Sequence, residues 1–119
     1  MNIPNKIRIG SLDFDVIMQD TPIVLNNQQC YGEIDYATTE IKLDATIASD
    51  QHLEVTFLHE IIHGILHDRG FKEAEDEELI EGIARGLHQL IRDNPEMFIG
   101  KKIEIDSLKI NPFKENIGL

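Results

Sequence analysis

Cysteine is nearly absent from this 119-residue chain, where Cys30 stands alone. No internal disulfide can form, no cysteine-based zinc site can be built, and Cys30 reads as a small strand residue. Long apolar runs are missing too. None approaches the ~18–20 residues of a membrane-spanning helix, so no membrane partner is expected. Positive charge is scarce: 11 Lys and Arg stand against 22 Asp and Glu, a formal net charge of −11. Nucleic-acid binding needs clustered Lys and Arg to neutralise phosphates, and here they are scattered, so no nucleic-acid partner is expected. The opening Met1-Asn2-Ile3-Pro4-Asn5-Lys6 has no apolar stretch of the kind a signal peptide carries. These absences together suit a cytoplasmic protein.

What is present is a modest apolar fraction of 41%, enough for one core in a chain of this length. A single domain over 1–119 is expected, with its core at about 6–95 and a C-terminal extension at 96–119. Acidic residues concentrate between Glu73 and Glu81. Most of them read as a solvated face, and their field favours a cation and a basic partner.

The centre of the chain is His59-Glu60-Ile61-Ile62-His63. Histidines four residues apart on a helix lie one turn above the other on the same face. Both imidazoles can then reach one ion with bonds of about 2.0–2.1 Å, as tetrahedral Zn²⁺ requires. The glutamate after the first histidine lies where it can act on a metal-activated water. At about 100° per residue, Leu53, Val55, Phe57, Leu58, Ile61, Ile62, Ile65 and Leu66 fill a wide apolar arc. His52, Thr56, His59, Glu60, His63 and His67 share the remaining sector. The other reading of this stretch is an ordinary amphipathic helix with a histidine-rich polar face.

A hydrolytic zinc needs three protein ligands and one open position. His67 lies a further turn along the stripe, but three histidines on a straight helix span roughly 12 Å at 1.5 Å per residue. One ion cannot meet both ends, so the third ligand is expected elsewhere. A second helix is expected over Asp76–Arg92, stopped at Asn94-Pro95, with an apolar face of Leu79, Ile80, Ile83, Leu87, Leu90 and Ile91. Glu77 and Glu81 sit one turn apart at the border of that face, and Glu78 points further into solvent. Glu77 is the expected ligand, with Glu81 orienting a histidine from behind; Glu81 is the alternative ligand. His88, on the same border, could donate to an oxyanion.

Around these helices the fold class expected is α+β, a small antiparallel or mixed sheet of three to four strands packed on the histidine helix and the glutamate helix. The strands are read at Lys6–Ile9, Leu12–Met18, Tyr31–Tyr36 and Glu40–Leu43, with a loop opened by Pro22 and continuing through Asn26-Asn27-Gln28-Gln29. Ser49 or Asp50 caps the histidine helix and Gly70 ends it. Phe71–Asp76 is a charged connection, Lys102–Asp106 alternates as a strand would, and the stretch past Pro112 reads as a tail.

The segments Tyr31-Gly32-Glu33-Ile34-Asp35, Glu40-Ile41-Lys42-Leu43, Thr56 through His67, and Glu77 through Leu87 resemble the ImmA/IrrE-like zinc metallopeptidases. These are gluzincin-type zincins common among phage and mobile-element proteins. The resemblance covers roughly Tyr31 to Asn94. It implies zinc held by His59, His63 and Glu77 or Glu81, Glu60 as general base, and a protein or peptide substrate. It also implies an edge strand that pairs with the extended peptide, which points to Glu40–Leu43. The family's Glu-Ala-Asn sequence on the glutamate helix is absent here. The chemistry implied is metal-assisted peptide hydrolysis; the alternative is an inactive metal-binding interaction module.

Overall fold

The computed structural model describes residues 1–47 and 49–98; the strand expected at Lys102–Asp106 and the tail past Pro112 lie outside the described residues. Met1–His88 forms one compact unit and the segment from Gln89 onward a second. Of the second, the last turns of a helix and a 3-10 turn at Pro95–Met97 are described.

The first unit is α+β. Its main sheet has four strands in the order β1-β2-β6-β5, where β1 is Lys6–Ile9, β2 Leu12–Gln19, β5 Gly32–Asp35 and β6 Glu40–Asp44. Ile9 pairs with Leu12 across a two-residue turn, in which Gly10 takes φ +60°, the left-handed conformation glycine enters without steric cost. β2 and β6 run parallel, with Val16 opposite Ile41, and β5 and β6 run antiparallel, with Ile34 opposite Ile41. The sheet is therefore mixed. Alternation along the strands puts Ile7, Ile9, Phe14, Val16, Ile34, Ile41 and Leu43 on one face. The other carries Arg8, Asp13, Asp15, Glu33, Asp35, Glu40 and Lys42.

One expectation is corrected here. Glu40–Leu43 is not the edge: β6 lies between β2 and β5, and Ile41 and Leu43 are fully buried. Its insertion beside β2 pushes the strand that precedes it in sequence outward, so β5 is the edge nearest the helix. Asp44 N–H donates to the Tyr31 carbonyl at 2.9 Å. By the alternation of antiparallel pairing, Tyr31, Glu33 and Asp35 spend their main-chain groups on β6, while Gly32 and Ile34 turn theirs to the open side.

A second departure lies in the stretch expected as a loop. Ile23–Leu25 (β3) and Gln28–Cys30 (β4) form a separate two-stranded hairpin. Its turn residues Asn26 and Asn27 have φ of 52° and 63°, the pair of left-handed residues that a two-residue hairpin matching strand twist needs.

Helix α1, Asp50–Asp68, lies on the apolar face of the sheet. The Ser49 hydroxyl accepts from His52 N–H and caps its start. Gly70, at φ +77°, ends it while Phe71 N–H returns to the Leu66 carbonyl at 2.9 Å. Phe57 joins Ile9, Phe14, Ile41 and Leu43 in the core. The helix approaches the sheet at Gly64, where a Cβ would stand 2.9 Å from the δ-methyls of both Ile34 and Ile9. After a 3-10 turn at Lys72–Glu75, helix α2 runs Glu77–Asp93, its first turn capped by Asp76 accepting from Leu79 N–H. It buries Ile80, Ala84 and His88, one turn apart, while Leu79 and Ile83 stay 43% exposed. The expected apolar face is thus rotated. At 100° per residue, Glu77 and Glu81 share the buried side with Ile80, Ala84 and His88, and hydrogen bonds from α1 hold that side inward.

Candidate metal centre

The histidine pair is presented by α1 and the carboxylates by α2. His59 Nε2 lies 2.8 Å from Glu77 Oε1, and His63 Nε2 lies 3.2 Å from Glu77 Oε2. One ligand atom from each of His59, His63 and Glu77 falls within 4.8 Å of the others. A tetrahedral ion with bonds near 2.1 Å separates its ligands by about 3.4 Å. The donors are therefore close to the spacing they would adopt around an ion.

The remaining ring nitrogens are also engaged. His59 Nδ1 lies 2.7 Å from Glu81 Oε1, and His63 Nδ1 lies 2.7 Å from the Ala74 carbonyl. Both partners are acceptors, so with a metal ion on the Nε2 side each Nδ1 would carry the proton and leave the Nε2 lone pair to the ion. Two imidazole nitrogens and one carboxylate, each histidine oriented from behind, make a donor set that can hold a metal ion and leave a fourth position free. Of the two carboxylates left open by the sequence, Glu77 joins the histidines. Glu81 stands behind His59 and also accepts from Arg85 Nε at 2.7 Å. Burial works to raise the Glu81 pKa, but the hydrogen bonds from His59 and Arg85 outweigh it and hold the carboxyl below its usual range.

Glu60 sits in the same place and is only 7% exposed. Burial lifts its pKa to about 7; His63 opposes the rise, and the carboxylates of Glu77, Glu33 and Glu75 add to it. Gly32 of β5 passes close by. A Cβ there would stand 2.8 Å from Thr56 Cγ2 and 3.1 Å from Glu60 Oε2. The metal-ligand group and Glu60 line a cleft of about 620 Å³. Leu25 and Cys30 of the β3–β4 hairpin, Tyr31, Tyr36, Val55 and Glu75 line it as well.

The other candidates lie elsewhere. His67 is stacked on Tyr36, ring centroids 3.8 Å apart and planes 13° from parallel, and is no ligand. Glu78 is exposed and outside the cleft lining. The oxyanion role considered for His88 is not supported: it is buried, its Nε2 lies 2.7 Å from Glu54 Oε1, and it does not line the cleft. Helix periodicity placed it on the right face, but two turns beyond Glu81 carries it past the site.

Sequence reasoning missed Tyr36, Glu33 and Glu75 as cleft residues. The sequence presents Tyr36 only as a strand end. Its hydroxyl is buried without a hydrogen-bond partner among the described residues. Burial, with smaller contributions from Glu75 and Glu60, pushes its pKa up to about 12. The hairpin wall was legible only as the Asn26-Asn27 turn. Comparison with protein-family models, with curated proteins and with solved structures finds no match to this chain. Among the described residues no helix is long and apolar enough to cross a membrane.

Proposed function

We propose that the chain is a zinc-dependent peptidase, with His59, His63 and Glu77 as metal ligands and Glu60 as general base. The observation that carries this reading is the convergence of two imidazole nitrogens and one carboxylate in a cleft that also holds Glu60. Imidazole donors suit several transition metals, and the His₂Glu set with a free position is the hydrolytic zinc arrangement. Zinc, when bound, supplies an acidified water and a Lewis acid for the scissile carbonyl. Glu60 takes the proton of the attacking water and passes it to the leaving amine. Glu81 and the Ala74 carbonyl keep both imidazoles aimed. The open edge of β5 offers the main-chain groups of Gly32 and Ile34 to an extended peptide. The side chain missing at Gly32 lets that edge lie directly beside Glu60. The resemblance to ImmA/IrrE-like peptidases, carried by these same residues, supports the same chemistry. An inactive module with a closed metal site needs a fourth protein ligand, and His67, the candidate, is turned to Tyr36.

The test is metal content together with cleavage of unstructured protein substrates. The parent should carry about one zinc per chain; His63→Ala should lose both metal and activity, and Glu60→Gln should lose activity alone. Turnover by Glu60→Gln at the parental rate would remove Glu60 from its role.

A further inference from the structure

The cleft is lined by Glu33, Glu60, Glu75, Glu77 and Glu81, and among the described residues Arg85 is its only Lys or Arg. On the peptidase reading most of these charges are matched. Glu60 and Glu77 offset a divalent ion, and Arg85 is held by Glu81 at 2.7 Å. Glu33 and Glu75 are left over. Neither makes an ion pair or side-chain hydrogen bond among the described residues. Lys42, opposite Glu33 across the strands, is turned to Glu40 at 3.9 Å instead. Both carboxylates line the same cleft as the metal-ligand group.

Glu33 lies between Gly32 and Ile34 on β5, the open edge strand, and Glu75 lies in the 3-10 turn whose Ala74 carbonyl holds His63. We propose that this cleft selects peptides carrying a lysine or arginine close to the scissile bond, and that Glu33 and Glu75 are its specificity-determining residues. This inference rests on the peptidase reading. A cationic side chain entering the cleft is attracted by these carboxylates, and an acidic one is repelled. Both groups stay in contact with solvent, so the preference is modest and screened by salt.

The test uses zinc-loaded Glu60→Gln protein, which holds a peptide without cutting it, and fluorescently labelled, extended alanine/threonine decapeptides. Each carries a single Lys, Gln or Glu, moved along the chain from one peptide to the next. At one or two positions the Lys peptide should bind roughly fivefold more tightly than its Gln counterpart at low salt, and the Glu peptide more weakly than both. The preference should shrink at high salt and vanish when Glu33→Gln and Glu75→Gln are added. Equal binding of Lys and Gln peptides at every position sinks the selectivity while leaving the peptidase reading standing, as does a preference that survives the double substitution. If no peptide binds zinc-loaded protein at all, the peptidase reading falls and takes this inference with it.

Discussion

Replacing Glu81 by Gln separates a carboxylate that orients a ligand from one that is a ligand. Glu81 accepts from His59 Nδ1 at 2.7 Å and from Arg85 Nε at 2.7 Å. Glutamine keeps the shape and an oxygen acceptor but not the charge. A hydrogen bond to a charged group contributes about 1.5–3 kcal/mol and a neutral one about 1 kcal/mol, so the aim of His59 weakens by about 1–2 kcal/mol. The Glu81 side chain is 38% exposed, which puts the loss at the lower end. At 1.4 kcal/mol per factor of ten, zinc affinity should fall roughly five- to tenfold, near the lower bound for residues behind a ligand. Glu77→Gln removes a charged ligand and should leave zinc content well below one per chain. Competition against a chromophoric chelator near neutral pH measures both. If Glu81→Gln abolishes binding while Glu77→Gln merely weakens it, the two carboxylates have been assigned the wrong way round.

Three further outcomes follow from the packing. Gly64→Ala should lower stability by about 1–2 kcal/mol, because overpacking against Ile34 and Ile9 exceeds the gain in helix propensity. Gly82→Ala should instead raise it by about 0.5–1 kcal/mol, since nothing lies within 4 Å of a Cβ there; urea unfolding compares the pair, and equal effects would refute the close helix–sheet approach. Burial works to raise the pKa of Glu54, but the hydrogen bond with His88 and the nearby charge of the Met1 amine together outweigh this and hold the carboxyl below its usual value. A carboxyl depressed on folding adds stability above its unfolded pKa and loses it as pH falls through the folded one. Glu54→Gln should therefore flatten the loss of stability below about pH 4, and a steeper acid loss in the variant would contradict the pairing. Tyr36→Phe removes a buried hydroxyl without a partner and keeps the stack on His67, so thermal unfolding should show stability unchanged or raised by up to about 1 kcal/mol. A loss of more than that would mean the hydroxyl is hydrogen-bonded in solution.

Local signals carried furthest where the residue's own chemistry set the structure. The His59–His63 spacing, the Ser49 cap, the Gly70 stop and the period-two alternation of Leu12 to Met18 each name an element from within a few residues. Glu77 was legible as a candidate because it lies one turn from Glu81 at the border of an amphipathic helix. Choosing between the two required knowing how α2 sits on α1, which is fixed by Ile80, Ala84 and His88 and not by the larger Leu79 and Ile83. Strand order was out of reach for the same reason. Glu40–Leu43 and Gly32–Asp35 are adjacent strands in either arrangement, and only the parallel pairing of β6 with β2, a contact between distant segments, decides which one is exposed. The three-residue strands of the β3–β4 hairpin were too short to alternate visibly.

An open strand edge is also an invitation to another copy of the same chain. β5 is four residues long and carries Glu33 and Asp35 at alternate positions. Two copies meeting edge to edge in antiparallel fashion would set these carboxylates against each other, and like charges directly opposite across strands are destabilising. Short, charged edges are one way folded proteins avoid polymerising through their sheets. The acidic character of this strand thus works against that pairing.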